Sequence, residues 1–152
     1  MRPTEVTLRP AVADDAEVVA SVHLAARRDS PMPAGVHSDD EVRQWLSGRI
    51  AGDDEVWVAE ADGAVAAYAR LTPTWLDDLY VAPSHARQGL GSALLDLAKS
   101  LRPDGFCLWV FESNTPARAF YHRHGLVALE RTDGAGNEER EPDARMAWPT
   151  AP

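Results

Sequence analysis

Cysteine is almost missing from this sequence: Cys107 is the only one in 152 residues, so no intrachain disulfide can form. It sits in the apolar run from Phe106 to Phe111 and reads as a buried filler, not a nucleophile. Lysine is as scarce, with Lys99 alone, and the net charge is -9. Neutralising a phosphate backbone takes clustered Lys and Arg, so this balance argues against a nucleic-acid partner. An acidic surface favours the approach of cationic amines, although solubility alone also accounts for it. No apolar run approaches the length of a membrane span, and the start, Met1-Arg2-Pro3-Thr4-Glu5, lacks a hydrophobic signal region. The chain is therefore expected to be cytoplasmic, with no membrane partner. Five histidines are scattered, and His122 and His124, two apart on an expected helix, turn to different faces, so no metal site is expected. There is no internal repeat and no low-complexity tract. The length suits a single domain over residues 1–152.

What is present centres on the stretch from Leu79 to Leu95, which reads as strand, turn, glycine loop and helix start. Val81 ends a β-favouring run, Pro83 cannot continue a ladder, and Gly89 and Gly91 let the backbone approach a ligand with no Cβ in the way. Leu90, Leu94, Leu97, Ala98 and Leu101 then make one buried helical stripe, stopped by Pro103 and Gly105. A helix that begins in such a loop has unpaired N–H groups and partial positive charge, which suit phosphate oxygens. By spacing alone the glycine pair is equally a tight strand-to-helix turn. A Walker loop would need Gly-Lys-Ser/Thr, which is absent, and the third glycine of a dinucleotide fingerprint would fall on Leu94.

The remaining punctuation orders the chain. Val6 to Arg9 is a short strand; Asp14 with Glu17 and Ser38 with Glu41 are capping boxes that open two helices, the first with Val18, Val22 and Ala25 on its apolar side. The second turns Val42, Trp45, Leu46 and Ile50 inward. Strands are expected over Glu55–Glu60 and Val65–Leu71, joined by the hairpin signal Asp62-Gly63, and over Trp75–Val81. A helix over Ser92–Leu101, a strand over Phe106–Phe111 and a helix with Pro116 in its first turn and Gly125 after its end follow. Strands over Leu126–Glu130 and Ala144–Trp148 finish the order. The segment between them carries six acidic and two basic residues from Glu130 to Asp143, and reads as a solvated hairpin loop or as a cation-attracting rim. The order implies an α/β fold: a mixed sheet with helices on both faces.

Two motifs carry a resemblance. The loop with Gly89 and Gly91 after Leu79-Tyr80-Val81-Ala82-Pro83, and the segment Asn114-x-x-Ala117-x-x-Phe120-Tyr121-x-x-x-Gly125-Leu126, are similar to those of the GNAT superfamily of N-acetyltransferases. Ala86 departs from the family's usual Gln or Arg, which removes a side chain but not the backbone cradle. The resemblance runs from about Val6 to Trp148. It implies a GNAT fold, with a central, mostly antiparallel sheet whose fourth and fifth strands splay apart, and acetyl-CoA as acyl donor with no metal. Leu79, Tyr80 and Val81 would pair with the pantetheine arm through their backbone, as with an added strand. The backbone of Arg87, Gln88, Gly89, Leu90, Gly91 and Ser92 would hold the pyrophosphate, and Asn114 would bond the arm.

Acylation of an amine needs a neutral attacking nitrogen, a donor for the developing oxyanion and an acid for the departing thiolate. By resemblance Tyr121 is the acid, also touching the donor, and a backbone N–H near Leu79 is the oxyanion donor. Asp77 is the expected general base and Asp78 the reserve. A Glu base found on the fifth strand of peptide-acetylating relatives is replaced here by Trp109. Met32, Val36 and Trp45 fall in the region that contributes to the acceptor site. The expectation is N-acetylation of a primary amine, that of a small molecule, by direct attack in a ternary complex. A non-catalytic acyl-CoA-binding module and a protein or peptide N-acetyltransferase are the alternatives. Homodimers are frequent in the family, so a homodimer is also an expectation.

Overall fold

A computed structural model describes residues 2–149. Met1 and residues 150–152, part of the expected domain span, lie outside the described residues. The elements are β1 (Val6–Pro10), α1 (Ala16–Asp29), α2 (Asp39–Ala51), β2 (Glu55–Ala61), β3 (Ala64–Thr72), β4 (Trp75–Val81), α3 (Leu90–Leu101), β5 (Phe106–Phe111), α4 (Thr115–Arg123), β6 (Val127–Thr132) and β7 (Asp143–Trp148). Among the described residues they form one seven-stranded sheet in the order β1-β2-β3-β4-β5-β7-β6. Every neighbouring pair is antiparallel except β4 and β5. This is the mixed α/β sheet that the element order implied.

Two apolar layers flank the sheet. On one face Val19, Ala20 and Val22 of α1 and Leu46 of α2 pack on Val56, Val58 and Tyr68. On the other, Leu90, Leu94, Leu95 and Ala98 of α3 cover Ala67, Ala69, Leu71, Leu76, Phe106 and Leu108, with Phe120 and Tyr121 of α4 alongside. Local signals set several boundaries as expected. Asp62 and Gly63 both take positive φ, 50° and 87°, the geometry of a two-residue hairpin turn. The Ser38 hydroxyl accepts from the Glu41 amide at 3.2 Å while the Glu41 carboxylate accepts from the Ser38 amide at 2.9 Å, a closed capping box.

The first box does not form. Arg9 holds Asp15 at 2.8 Å, and the Asp15 carboxylate accepts from the Val12 amide at 2.8 Å, so α1 starts after a short 3-10 turn at Ala13–Asp15. The Arg9 hydrogen bond, reinforced by the Val12 amide and opposed by burial, holds Asp15 below the usual carboxylate range. The apolar face is consequently Val19, Val22 and Ala26, with Val18 and Ala25 exposed. Trp45 also departs from expectation: it is exposed, with the Arg70 guanidinium 4.7 Å above its ring.

The feature that positions the site is the junction of β4 and β5. Among the described residues the two strands pair once, at Trp75 and Cys107, where the Cys107 amide also donates to the Thr74 carbonyl at 3.0 Å. Beyond that point they diverge, and the gap opens toward their carboxyl ends.

Candidate active site

Leu76 to Val81 of β4 and Leu108 to Phe111 of β5 line the gap, a cavity of about 1030 Å³ that continues over the start of α3 and along α4. Which backbone groups face it follows from the ladder to β3. The Ala82 amide donates to the Ala66 carbonyl at 2.8 Å, and Tyr80 pairs with Tyr68. Antiparallel bonding alternates, so the N–H and C=O groups of Leu79 and Val81 turn toward the gap. They can pair with an extended amide-bearing ligand, or give one N–H to an oxyanion.

At the open end, Arg87 and Gly89 both have positive φ, 64° and 82°, and Gly89 caps α3 with no side-chain bond. The first amide of α3 with a backbone partner is that of Ala93, donating to the Gly89 carbonyl at 3.0 Å. The amides of Leu90, Gly91 and Ser92 therefore stand at the positive end of the helix dipole. Residues 86–89 are exposed, so this cradle is reachable. A Cβ on Gly91 would lie 3.4 Å from Phe120 Cζ and 3.6 Å from Val81 Cγ2, which shows how closely this turn is pressed on α4 and β4. These backbone donors fit a pyrophosphate group, and the diverging strands fit the arm that follows it.

Asn114 caps α4, its Oδ1 accepting from the Ala117 amide at 3.4 Å, and its Nδ2 lies 3.9 Å from Met32 Sδ at the cavity wall. Tyr121 also lines the cavity, its ring edge-on to Phe120. Burial, then the neighbouring Tyr80 and Asp78, push its phenol well above the ordinary value. The group stays protonated at neutral pH, the state a proton donor requires.

The two aspartates differ sharply. Strict alternation puts Asp77 on one side of β4 with Leu79, but the ladder to β3 shifts between Asp78–Arg70 and Leu76–Leu71, leaving Asp77 as the extra residue of a bulge. The bulge corrects that reading: Leu76, not Asp77, shares the α3 face with Leu79 and Val81. Asp77 is exposed, lines the cavity and accepts from the Thr72 hydroxyl at 2.8 Å. Asp78 is nearly buried on the α1 face, accepting from Arg70 Nε at 2.8 Å and the Tyr68 hydroxyl at 3.1 Å.

A second cavity, of about 1050 Å³, lies between α1, α2 and the loop after β6. Met32, Val36 and Trp45 line it, with His23 on its inner wall. Sequence reading did not assign Arg27 to this region's walls; the β6–β7 loop, read as a solvated hairpin or as a rim, supplies Glu138 and Glu139 to them. Arg27 donates to Tyr80 Oη at 3.3 Å and to Glu139 at 3.1 Å, and His37 meets Glu138 at 3.0 Å. These contacts tie residues 138–139 over the cavity, so the acidic loop is a strap and not a free hairpin. Asn137 fastens its base by donating to the Glu141 carbonyl and to Asp143. The two cavities share Arg27, Ser30, Met32, Asp78, Tyr80 and Glu139. Among the described residues no group of three or more His, Cys, Asp or Glu is placed to hold a metal ion. No helix is long and apolar enough to cross a membrane among those residues.

Known proteins agree with this architecture. The chain is 32% identical over 95 residues to the peptidyl-lysine N-acetyltransferase YiaC of Escherichia coli, covering 61% of this chain and 62% of that protein. It is 27% identical over 149 residues to the probable N-acetyltransferase Rv2775 of Mycobacterium tuberculosis, covering 87% and 86%. Among solved structures, a GCN5-related N-acetyltransferase from Rhodopseudomonas palustris superposes with a TM-score of 0.78 at 21% identity, covering 97% of each chain. The PaiA N-acetyltransferase of Thermoplasma acidophilum, solved in complex with coenzyme A, gives 0.70 at 19% identity over 94% of this chain and 98% of that one. The model of the acetyltransferase (GNAT) family matches residues 19–126, from α1 through the splayed strands to the end of α4, and the chain belongs to that family.

Proposed function

We propose that this chain is an acetyl-CoA-dependent N-acetyltransferase that acylates the primary amine of a small molecule by direct attack in a ternary complex. The observation that carries the reading is the meeting of two cavities at Asp78 and Tyr80, close to Tyr121. One has the backbone cradle and the unpaired strand groups that suit acetyl-CoA. The other, closed over by Glu138 and Glu139, suits a compact acceptor. When bound, acetyl-CoA supplies the activated acyl group. Leu79 would give its N–H to the carbonyl oxygen as charge develops there, and Tyr121 would protonate the departing sulfur. Asn114 Nδ2 would hold the arm.

The acceptor's proton leaves, in this reading, on the Asp78 side of β4. Asp77 sits outward on the bulge and is engaged with Thr72. Asp77→Asn is expected to lower kcat by less than about threefold, well short of the hundredfold or more that loss of a general base brings. A larger loss, measured by thiol release at pH 7, returns the base to Asp77.

A protein lysine is the competing acceptor, favoured by similarity to the peptidyl-lysine N-acetyltransferase of E. coli. The test is calorimetric titration with acetyl-CoA, using ATP and NAD as controls, followed by thiol release with small amines and lysine-bearing peptides. Selective binding of acetyl-CoA and faster turnover of a small amine are expected. Peptides that outcompete every small amine would transfer the chain to protein acetylation. Binding without thiol release from any acceptor would make it a non-catalytic acyl-CoA-binding module.

A further inference from the structure

Behind the meeting point of the cavities lies a hydrogen-bonded series that the transfer reading leaves without a role. His23 of α1, Tyr68 of β3 and Asp78 of β4 stand in line: His23 Nδ1 is 2.7 Å from the Tyr68 oxygen, and the Tyr68 hydroxyl donates to Asp78 Oδ2 at 3.1 Å. Arg70 fixes that same carboxylate oxygen at 2.8 Å and is itself held by Asp54 at 2.8 Å. All three members are buried or nearly so, and a polar series placed there must be satisfied at every link.

The protonation pattern follows from counting hydrogens. A hydroxyl has one, and in Tyr68 it goes to the Asp78 carboxylate, so the Tyr68 oxygen can only accept from His23. The imidazole must then donate from Nδ1, which leaves the lone pair of the neutral ring on Nε2. Among the described residues Nε2 has no hydrogen-bond partner, yet it is not one of the buried unpaired polar atoms. His23 lines the second cavity, so that lone pair meets whatever fills it. Burial holds the imidazole below its ordinary value against the upward pull of Asp78, with Arg27 and Arg70 adding to the depression. The ring is thus neutral at pH 7 and able to take a proton. Tyr80 stands edge-on to it at 4.8 Å between ring centroids, joining it to the wall shared by both cavities.

We propose that His23 is the general base of the transfer, taking the acceptor ammonium's proton on Nε2. Tyr68 and Asp78 are positioning residues that fix its tautomer and balance the imidazolium that forms. This rests on the acetyl-transfer reading above. An ammonium nitrogen carries three hydrogens and the amide product one. Of the two it gives up, the first goes to His23 before attack and on to water in the cavity. The second leaves as the C–N bond forms and the C–S bond breaks, and replaces the proton that Tyr121 gives to the sulfur. The products are the amide, a thiol and one proton in solution. The logic is that of an acid–base–hydroxyl triad, with a tyrosine bridging histidine and carboxylate.

The charged and titratable groups facing His23 are Arg27 on its own helix, Tyr68 and Arg70 on β3, and Asp78 and Tyr80 on β4. None of them is altered in His23→Asn, which keeps an amide donor toward Tyr68 but has no titratable ring. Tyr68→Phe keeps the ring packing and breaks the link to Asp78. Both variants are compared with wild type on the best amine acceptor, at pH 7 and about one unit above the pKa of that acceptor's own ammonium. At pH 7 the expected kcat/KM is lower by about 100-fold or more, the scale of a lost general base. At the higher pH, where the amine arrives neutral, both variants are expected within about twofold of wild type, with acetyl-CoA affinity unchanged throughout. An equal deficit at both pH values, or none at pH 7, overturns the assignment of His23 while leaving acetyl transfer standing. A wild type that releases no thiol with any acceptor overturns the transfer reading, and this one with it. If Tyr68→Phe fails to bind acetyl-CoA, His23→Asn carries the comparison.

Discussion

Tyr121→Phe is expected to lower kcat by about 100- to 1,000-fold while acetyl-CoA affinity stays within about twofold of wild type. The ring contributes packing against Phe120 and the α3 side of the core, and phenylalanine keeps it. The hydroxyl contributes the proton. Burial, with Tyr80 and Asp78 nearby, disfavours the phenolate, so the wild-type group is a neutral phenol that keeps its proton at neutral pH. A thiolate expelled into a cleft with no donor must wait for water, and the barrier rises by the worth of one well-placed acid, about 3 to 4 kcal/mol for that rate loss. Single-turnover thiol release separates this step from binding. An unchanged rate with a good alkylamine acceptor would remove Tyr121 from the chemistry.

Gly91→Glu is expected to weaken acetyl-CoA binding by about 100-fold or more, with the fold intact. Two effects add. The new Cβ starts 3.4 Å from Phe120 Cζ and 3.6 Å from Val81 Cγ2, in contact with both, so the rest of a glutamate side chain has to turn out toward the cradle. The carboxylate then stands among the amides of Leu90, Gly91 and Ser92, where like charge against a pyrophosphate costs several kcal/mol, and about 2.7 kcal/mol is already 100-fold. Gly91→Ala separates the two effects. Gly91 is in the helix and does not have a positive φ, so alanine is compatible with its backbone and isolates the steric part. Calorimetry on both variants checks this. A Gly91→Glu protein that binds acetyl-CoA like wild type would place the pyrophosphate elsewhere.

How much of this was readable beforehand depends on the range over which each feature is determined. The Asp62-Gly63 turn and the Ser38–Glu41 box are settled within four residues, and both appear as read. The glycine loop and the α3 stripe are also local, and Leu90, Leu94 and Ala98 are buried as their spacing implied. The splay of β4 from β5 came from family resemblance, because no pattern within either strand announces that it will pair only once.

What escaped is what depends on partners far along the chain. Asp15 and not Asp14 organises the start of α1 because Arg9, six residues earlier, reaches it. The bulge at Asp77 is a mismatch of register between β3 and β4, and alternation read from β4 alone cannot contain it. His23 and Tyr68 are separated by 45 residues, and nothing near either one signals that they meet. Trp45 read as core from helical spacing, whereas it is exposed on α2 with Arg70 of β3 over one face of its ring.

The single pairing between Trp75 and Cys107 also bears on solubility. Past it, the sheet has two raw borders in its middle, where most proteins keep them at the periphery, and an unpaired border recruits strands from other molecules. Features of β4 and the turn after it guard these borders. A bulge at Asp77 kinks the β4 side, the exposed Asp77 carboxylate places charge along it, and Pro83 ends the available backbone just beyond. Neutralising Asp77 would therefore leave an uncharged border, guarded by the bulge alone, open to a second copy of the chain, the condition from which β-aggregates grow.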